Sequence, residues 1–265
     1  MPDLDPKGPP GMLSECVNLI PYQGRLNNFL DKVAISSTVM AGSPMLVFAG
    51  RDPAAIVKII AATTTKLYRL DTATMTNVTR VTVGDYTTAI SGEWAIAVYG
   101  NLCIATNLSD PIQVLGSGAT SWTTATNFAA MVATSGTIPK AQTCAMYRDH
   151  LFLGNVIETS TAYQRRLWRS ELGVPTGWAP ANNTGCGFKD IDAPGESLIA
   201  LKVLGSYLAV YMTDSIWIVD WIGYPLWFSY TRLASAVGPL NQACVVAIDD
   251  GKHLILTKND VVEVT

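Results

Sequence analysis

The chain has 265 residues, 49% of them apolar and only 15% charged. A typical soluble domain carries about 25% charged residues, so intrinsic disorder, which needs low hydrophobicity and high charge, is excluded. The balance of 18 basic and 21 acidic residues, a net charge of −3, argues against a dedicated nucleic-acid binder, whose basic excess gathers on one face.

In chain order, the opening Met1-Pro2-Asp3-Leu4-Asp5-Pro6 has neither the basic n-region nor the apolar h-region of a signal peptide. Synthesis and folding in a cytoplasm are the expectation. Residues 1–35, rich in Pro, Gly and Asn, read as an extended N-terminal arm. Residues 36–265 repeat one pattern: an apolar β-rich run, a polar turn, a second run, a second turn and a short third run. Ile59–Ala62 turns at Thr63–Lys66 into Leu67–Leu70, and Trp94–Tyr99 turns at Gly100-Asn101 into Leu102–Ala105. Cys144–Tyr147 turns at Arg148–His150 into Leu151–Leu153, and Leu198–Val203 turns near Gly205-Ser206 into Tyr207–Val210. Ala243–Ile248 turns at Asp249–Lys252 into His253–Leu256. Third runs follow at Arg166–Arg169, Ser215–Val219 and Asp260–Val264.

Short polar turns between β-branched runs are hairpin signals. Recurrence at roughly 36 to 56 residues, with no amphipathic helix longer than two turns, predicts an all-β, β-propeller-like repeat of short antiparallel sheets, about five units in all. Inner propeller strands are covered on both faces, which accounts for much of the missing charge. The most apolar stretch, Ser206–Tyr230, is interrupted by Asp214, Asp220 and Pro225, so no membrane insertion is expected. Eight aromatic residues crowd that stretch. Core packing and a subunit interface both fit, and Trp217, Trp221, Tyr224 and Trp227 are the interface candidates.

Few side chains offer chemistry. The five cysteines are scattered without a Cys-x-x-Cys pair and read as buried thiols. His150 and His253 occupy the same turn-to-strand position of their repeats, which points to a structural slot. Asp190, Asp192 and Glu196 form the best carboxylate cluster, in a stretch between Gly187 and Gly195 and just beyond. Its readings are a solvated loop, an ion or partner contact, and a glycosidase pair. Arg165, Arg166 and Arg169 surround Trp168. On a strand, Arg165 and Arg169 share one face and Arg166 and Trp168 the other. A charged edge strand, a protein interface and nucleic-acid contact are the alternatives there. No cofactor, metal site or enzymatic activity is expected.

The opening Pro2–Pro6, then Pro10-Gly11 and Cys16–Pro21, resembles the start of structural proteins of short-tailed phages, of the tail nozzle or tail tubular protein B-like kind. Arg166–Trp178 is similar to the family's R-x-x-W-S-x-L-G-x-P-x-x-W segment, with Arg169 inserted before Ser170. Ser215–Val219, Gly223–Phe228 and Gly238-Pro239 resemble a further stretch of it. The chain departs from the family at Lys258-Asn259-Asp260, where Asp-Gly is usual, and in being much shorter. It is either a compact variant or the proximal part of a longer nozzle. The resemblance implies a virion protein, assembled in the host cytoplasm into a homohexameric ring below the portal and adaptor. That ring would line the DNA exit channel, pass double-stranded DNA without sequence-specific binding, and support tail fibres or spikes. Another virion module (head-completion, decoration or fibre-attachment) and a carbohydrate-acting propeller hydrolase are the alternative functions.

Overall fold

A computed structural model describes residues 19–22, 25–28, 36, 38–88, 93–249 and 251–265. The chain divides into a unit ending at Thr38 and a body from Val39 to Thr265. Most of the expected arm, residues 1–35, lies outside the described residues. Within it, β1 (Leu19–Tyr22) and β2 (Arg25–Asn28) pair as an antiparallel hairpin.

The body is a β-propeller of five sheets, each counted outward from its first strand. Blade 1 is β3 (Pro44–Arg51), β4 (Val57–Thr63), β5 (Leu67–Asp71) and β6 (Thr74–Asn77). Blade 2 is β7 (Ala95–Tyr99), β8 (Leu102–Thr106), β9 (Gln113–Leu115) and the short β10 (Ala129–Ala130). After β11 (Ser135–Gly136), blade 3 begins with β12 (Lys140–Tyr147), β13 (His150–Glu158) and β14 (Thr161–Arg169). The chain then makes an excursion through β15 (Gly177–Trp178), which pairs in parallel with β11, and returns as β16 (Gly187–Asp190) on the outer side of β14. Blade 4 is β17 (Leu198–Leu204), β18 (Tyr207–Met212), β19 (Ser215–Gly223) and β20 (Trp227–Ser235). A 3₁₀ turn at Gln242–Cys244 leads into blade 5: β21 (Val245–Asp249), β22 (Lys252–Leu256) and β23 (Val261–Val264).

Local sequence explains the turns. Tyr147 and His150 face each other across Arg148 and Asp149, which both hold positive φ (48° and 56°). That geometry matches the right-handed twist of the flanking strands. The expected strand pairs of blades 2 to 5 are the first and second strands of their sheets. The pair read in blade 1 is instead its second and third strands, β4 and β5. The first, β3, opens on Pro44 and contains Gly50, residues that weaken a strand signal. With β3 restored, the first turn of blade 1 is at residues 52–56 and the early spacing matches the later ones.

The second strands of blades 2, 3 and 4 show why the sequence reads as unbroken apolar runs. Along β8, Cys103 and Ala105 pack toward blade 1 while Ile104 packs toward blade 3. Along β13, Leu151 and Leu153 face blade 2 and Phe152 faces blade 4. Along β18, Leu208 and Val210 face blade 3, whereas Ala209 and Tyr211 face blade 5. Successive side chains point to opposite faces, and both faces are core. Burying each large apolar side chain in these layers contributes about 1.5–3 kcal/mol.

Five sheets are held by four apolar cores among the described residues. No such core joins blade 5 to blade 1. On β22, His253 and Ile255 are buried against blade 4, but Leu256 on the other face is exposed, as are Val246 on β21 and Val261 on β23. Val47 and Val57 on the outer face of blade 1 are exposed as well.

Candidate functional site

Strand β14 carries the arginine cluster. It is not an edge: β13 flanks it on one side and β16 on the other. The charges therefore do not guard an open edge. As the alternation of a strand requires, Arg166 and Trp168 share a face. Arg166 Nε and Nη2 donate to the two carboxylate oxygens of Asp190 at 2.7 and 2.8 Å. Its Nη1 donates to Glu158 at 3.0 Å, and Trp168 Nε1 donates to the same Glu158 oxygen at 2.6 Å. The guanidinium lies between the rings of Tyr163 and Phe188, 3.8 and 4.0 Å from their centroids. On the other face, Arg165 donates to the Ile191 carbonyl at 3.2 Å, and Arg169 reaches the Gly185 carbonyl at 2.6 Å and the Tyr230 hydroxyl at 3.2 Å.

Arg165 and Arg166, but not Arg169, meet the acidic stretch, separate in sequence, in one polar cleft of about 320 Å³. Its lining includes Tyr163, Gln164, Arg165, Arg166, Asp190 and Glu196, but not Asp192. The Arg166 guanidinium holds the Asp190 carboxyl below its usual range. Glu196 accepts from Ser215 Oγ at 2.7 Å and from the Asp214 amide at 3.2 Å. A general acid in a glycosidase pair needs a raised pKa, and Asp190 is displaced the other way. Among the described residues no group of three or more His, Cys, Asp or Glu side chains is placed to hold a metal ion. The cleft is an ion-pair network that ties β13, β14 and β16 together. Arg166→Ala is expected to lower stability by about 1–3 kcal/mol, with little rescue by Arg166→Lys, because lysine reproduces neither the bidentate fork nor the ring stacking. Urea unfolding midpoints of the two variants measure this.

The aromatic stretch separates into two kinds of residue. Trp217 and Trp227 lie in the core between blades 3 and 4, and Trp168 lies in the core between blades 2 and 3. All three are buried within the single chain and present no surface to a partner. Trp221 is partly buried against the same layer, 5.3 Å from Trp227 and 5.2 Å from Phe228 between ring centroids. Trp227 is further fixed by donating Nε1 to the Asn182 carbonyl at 2.7 Å. Tyr224 differs: it is 68% exposed, on the turn between β19 and β20, beside Leu226 at 72% and Ile222 at 48%. Three side chains thus project from a hairpin whose base is clamped by edge-to-face aromatic rings.

Ile222 and Leu226 were not among the candidates. In sequence they are ordinary members of an apolar run, and only Gly223 and Pro225 beside them hinted at a turn. Glu158 was also missed, although its place at the end of β13, opposite Thr161, puts it one turn from the arginines.

No protein-family model matches the chain, and no curated protein matches it. Among solved structures, YCF48 bound to a D1 peptide is similar with a TM-score of 0.52 at 10% identity, over 84% of this chain and 64% of that one. BamB from Moraxella catarrhalis gives a TM-score of 0.45 at 15% identity, over 84% of this chain and 57% of that one. This chain therefore spans just under two thirds of the length of YCF48. At such identity the likeness to YCF48 carries the propeller fold and nothing of its function.

Proposed function

We propose that this propeller is a structural subunit of a phage tail. In this reading it is the nozzle or hub ring below the portal and adaptor, lining the DNA exit channel and bearing fibres or spikes. The observation that carries the reading is the apolar hairpin tip of blade 4. Ile222, Tyr224 and Leu226 are solvent-facing on a rigid aromatic base, which is the composition of an interface anchor. The tip seats on a neighbouring subunit. The weakly acidic balance of 18 basic to 21 acidic residues favours a channel through which DNA slides, since basic walls hold phosphates.

The test is the assembly itself. Mass photometry of the purified chain and density in the virion are expected to show a six-fold ring below the adaptor. The double substitution Tyr224→Ser with Leu226→Ser is expected to weaken assembly by about a hundredfold or more, the scale of losing a hot spot. Its unfolding free energy stays within about 0.5 kcal/mol of the parent, as for exposed positions. A lasting monomer with no ring density in the particle sinks the proposal.

A further inference from the structure

We infer that His150 is an acid-sensitive latch for the blade 4 hairpin. When its imidazole takes up a proton, Trp221, Trp227 and Phe228 come away from it, and the tip bearing Ile222, Tyr224 and Leu226 is released while the blades stay folded. The inference concerns motion within one chain and does not depend on what the tip binds.

The latch joins two sheets. His150 is fully buried at the start of β13, in blade 3. Its ring centroid lies 5.9 Å from those of Trp221 and Trp227 and 5.2 Å from that of Phe228, all three on the last rungs of the blade 4 hairpin. Backbone closes over the ring as well: a Cβ on Gly185 would stand 2.8 Å from His150 Cε1 and 3.0 Å from Trp227 Cδ2. Nδ1 donates to the Ser170 carbonyl at 2.7 Å, and the buried Nε2 has no partner. An imidazolium carries a second N–H and a charge, and a buried charge without a partner is among the costliest groups a fold can hold.

None of the elements packed on the ring supplies that partner. The hairpin contributes aromatic rings, and Phe228 already faces the Arg169 guanidinium at 5.5 Å. From β14, the charge of Arg169 opposes proton uptake; its guanidinium is bound to the Gly185 carbonyl and the Tyr230 hydroxyl. From β12, the Tyr147 hydroxyl donates to the Ser206 carbonyl at 2.6 Å. Asp149, in the turn before β13, favours uptake, but it is exposed and burial of the ring outweighs it.

Water is the missing acceptor, and the hairpin is the wall that moves to admit it. The wall on the blade 3 side is fixed, since Leu151 and Ser170 exchange two bonds of 2.9 Å. The last rungs of the hairpin are weaker. Their register shifts between Trp221 and Gly223, and Trp227 holds a positive φ of 65°, which is strained for a residue with a Cβ. Release breaks the Trp227 bond to the Asn182 carbonyl, which water replaces. Below these rungs, residues 217–220 pair with 229–232 without interruption, so the fraying stops there.

Backbone hydrogen exchange between about pH 7.5 and 5.5, corrected for the intrinsic pH dependence of exchange, tests the latch. Protection at residues 221–228 is expected to fall by up to about tenfold per pH unit below about pH 6.5, while residues 217–220 and β18 stay protected. His150→Gln, which stays neutral and still donates to the Ser170 carbonyl, is expected to abolish that dependence. If this variant does not fold, imidazole NMR of the parent protein decides, with proton uptake at His150 expected to coincide with the loss of protection. Protection that stays level or rises on acidification overturns the inference. So does an equal fall in His150→Gln, a fall shared equally by β18, or a His150 that charges with the tip still protected. Rings whose hairpin is indifferent to pH overturn this inference and keep the proposed function; a latch that opens in a chain forming no rings does the reverse.

Discussion

Asp110→Ala is expected to cost about 3–5 kcal/mol, the scale of leaving a buried charge without its partner. Arg80 and Asp110 are both buried, and they join the crossover after blade 1 to the second blade. Arg80 Nη2 donates to Asp110 at 2.8 Å and to the Asp85 carbonyl at 3.0 Å, while its Nε donates to the Gly84 carbonyl at 3.0 Å. The guanidinium also lies 4.5 Å from the ring centroid of Tyr86. The second carboxylate oxygen of Asp110 accepts from the Thr87 amide and from Asn107 Nδ2, each at 3.0 Å. Burial alone would raise this carboxyl, but these donors and Arg80 together hold it below its usual range. Alanine removes the counter-charge and strands the cation, the Thr87 amide and Asn107 together. A paired change, Arg80→Met with Asp110→Leu, is expected to recover only the share due to the uncompensated cation, because the Thr87 amide, Asn107 and the Gly84 and Asp85 carbonyls stay without these partners. Denaturant unfolding of the two singles and the double, read as a cycle, checks both statements.

Stability is expected to fall as pH drops below about 6.5, by up to about 1.4 kcal/mol per pH unit for each of the two histidines. Burial lowers the pKa of both His150 and His253. The unfolded chain therefore takes up protons that the fold refuses. The stabilisation is complete above the unfolded value, near 6.5, and is lost as pH falls toward the depressed folded values. Both rings stand at the start of a second strand, as the sequence suggested, but not in one repeated slot: His150 faces the following blade and His253 the preceding one, and they are in opposite tautomers. His150 Nδ1 lies 2.7 Å from the Ser170 carbonyl and so carries the proton there, while its Nε2 is buried without a partner. His253 Nε2 lies 2.9 Å from the Val203 carbonyl and donates, leaving Nδ1 to accept from the Tyr211 hydroxyl at 2.7 Å. Protonation would bury a new N–H at His150 with no acceptor among the rings of Phe152, Trp221, Trp227 and Phe228. Urea midpoints at several pH values between 5 and 8 (bracketing the free-histidine value), compared with His150→Gln and His253→Gln, give the slopes. A flat profile in the parent protein refutes the linkage.

The repeat was legible because propeller chemistry is local. Each turn such as Gly100-Asn101 or Arg148-Asp149 announces a hairpin by itself, and the second strands of blades 2 to 4, buried on both faces, read as apolar runs. What misled was competition between local signals. Pro44 and Gly50 hid the first strand of blade 1. The fourth strands were unread because some are very short, as with Ala129–Ala130, and one, Gly187–Asp190, returns only after the excursion through Trp178. The aromatic stretch carried a real but blurred message. Along β19 and β20, Trp217, Trp227 and Phe228 are all buried, the adjacent pair Trp227-Phe228 because the register shifts beside the turn and Trp227 takes a positive φ of 65°. No one-dimensional reading separates Trp227 from Tyr224. The meeting of Arg166 with Asp190 was equally hidden, since it depends on a sheet register across 24 residues.

The four inter-sheet cores have a consequence for how the body comes apart. In an array whose cohesion is a sum of neighbour contacts, opening begins where one neighbour is missing. Among the described residues, blade 5 is held through a single apolar face, by Val245, Ile255 and Val264 against Tyr211 and Ile216, and by the anchor that Gln242 makes to Glu93 and the Trp94 carbonyl at 3.1 and 2.8 Å. Blades 2, 3 and 4 are clasped from both sides. Resistance to local unfolding is therefore graded along the chain, highest in the middle sheets and lower in blades 1 and 5, which each share a single core among the described residues.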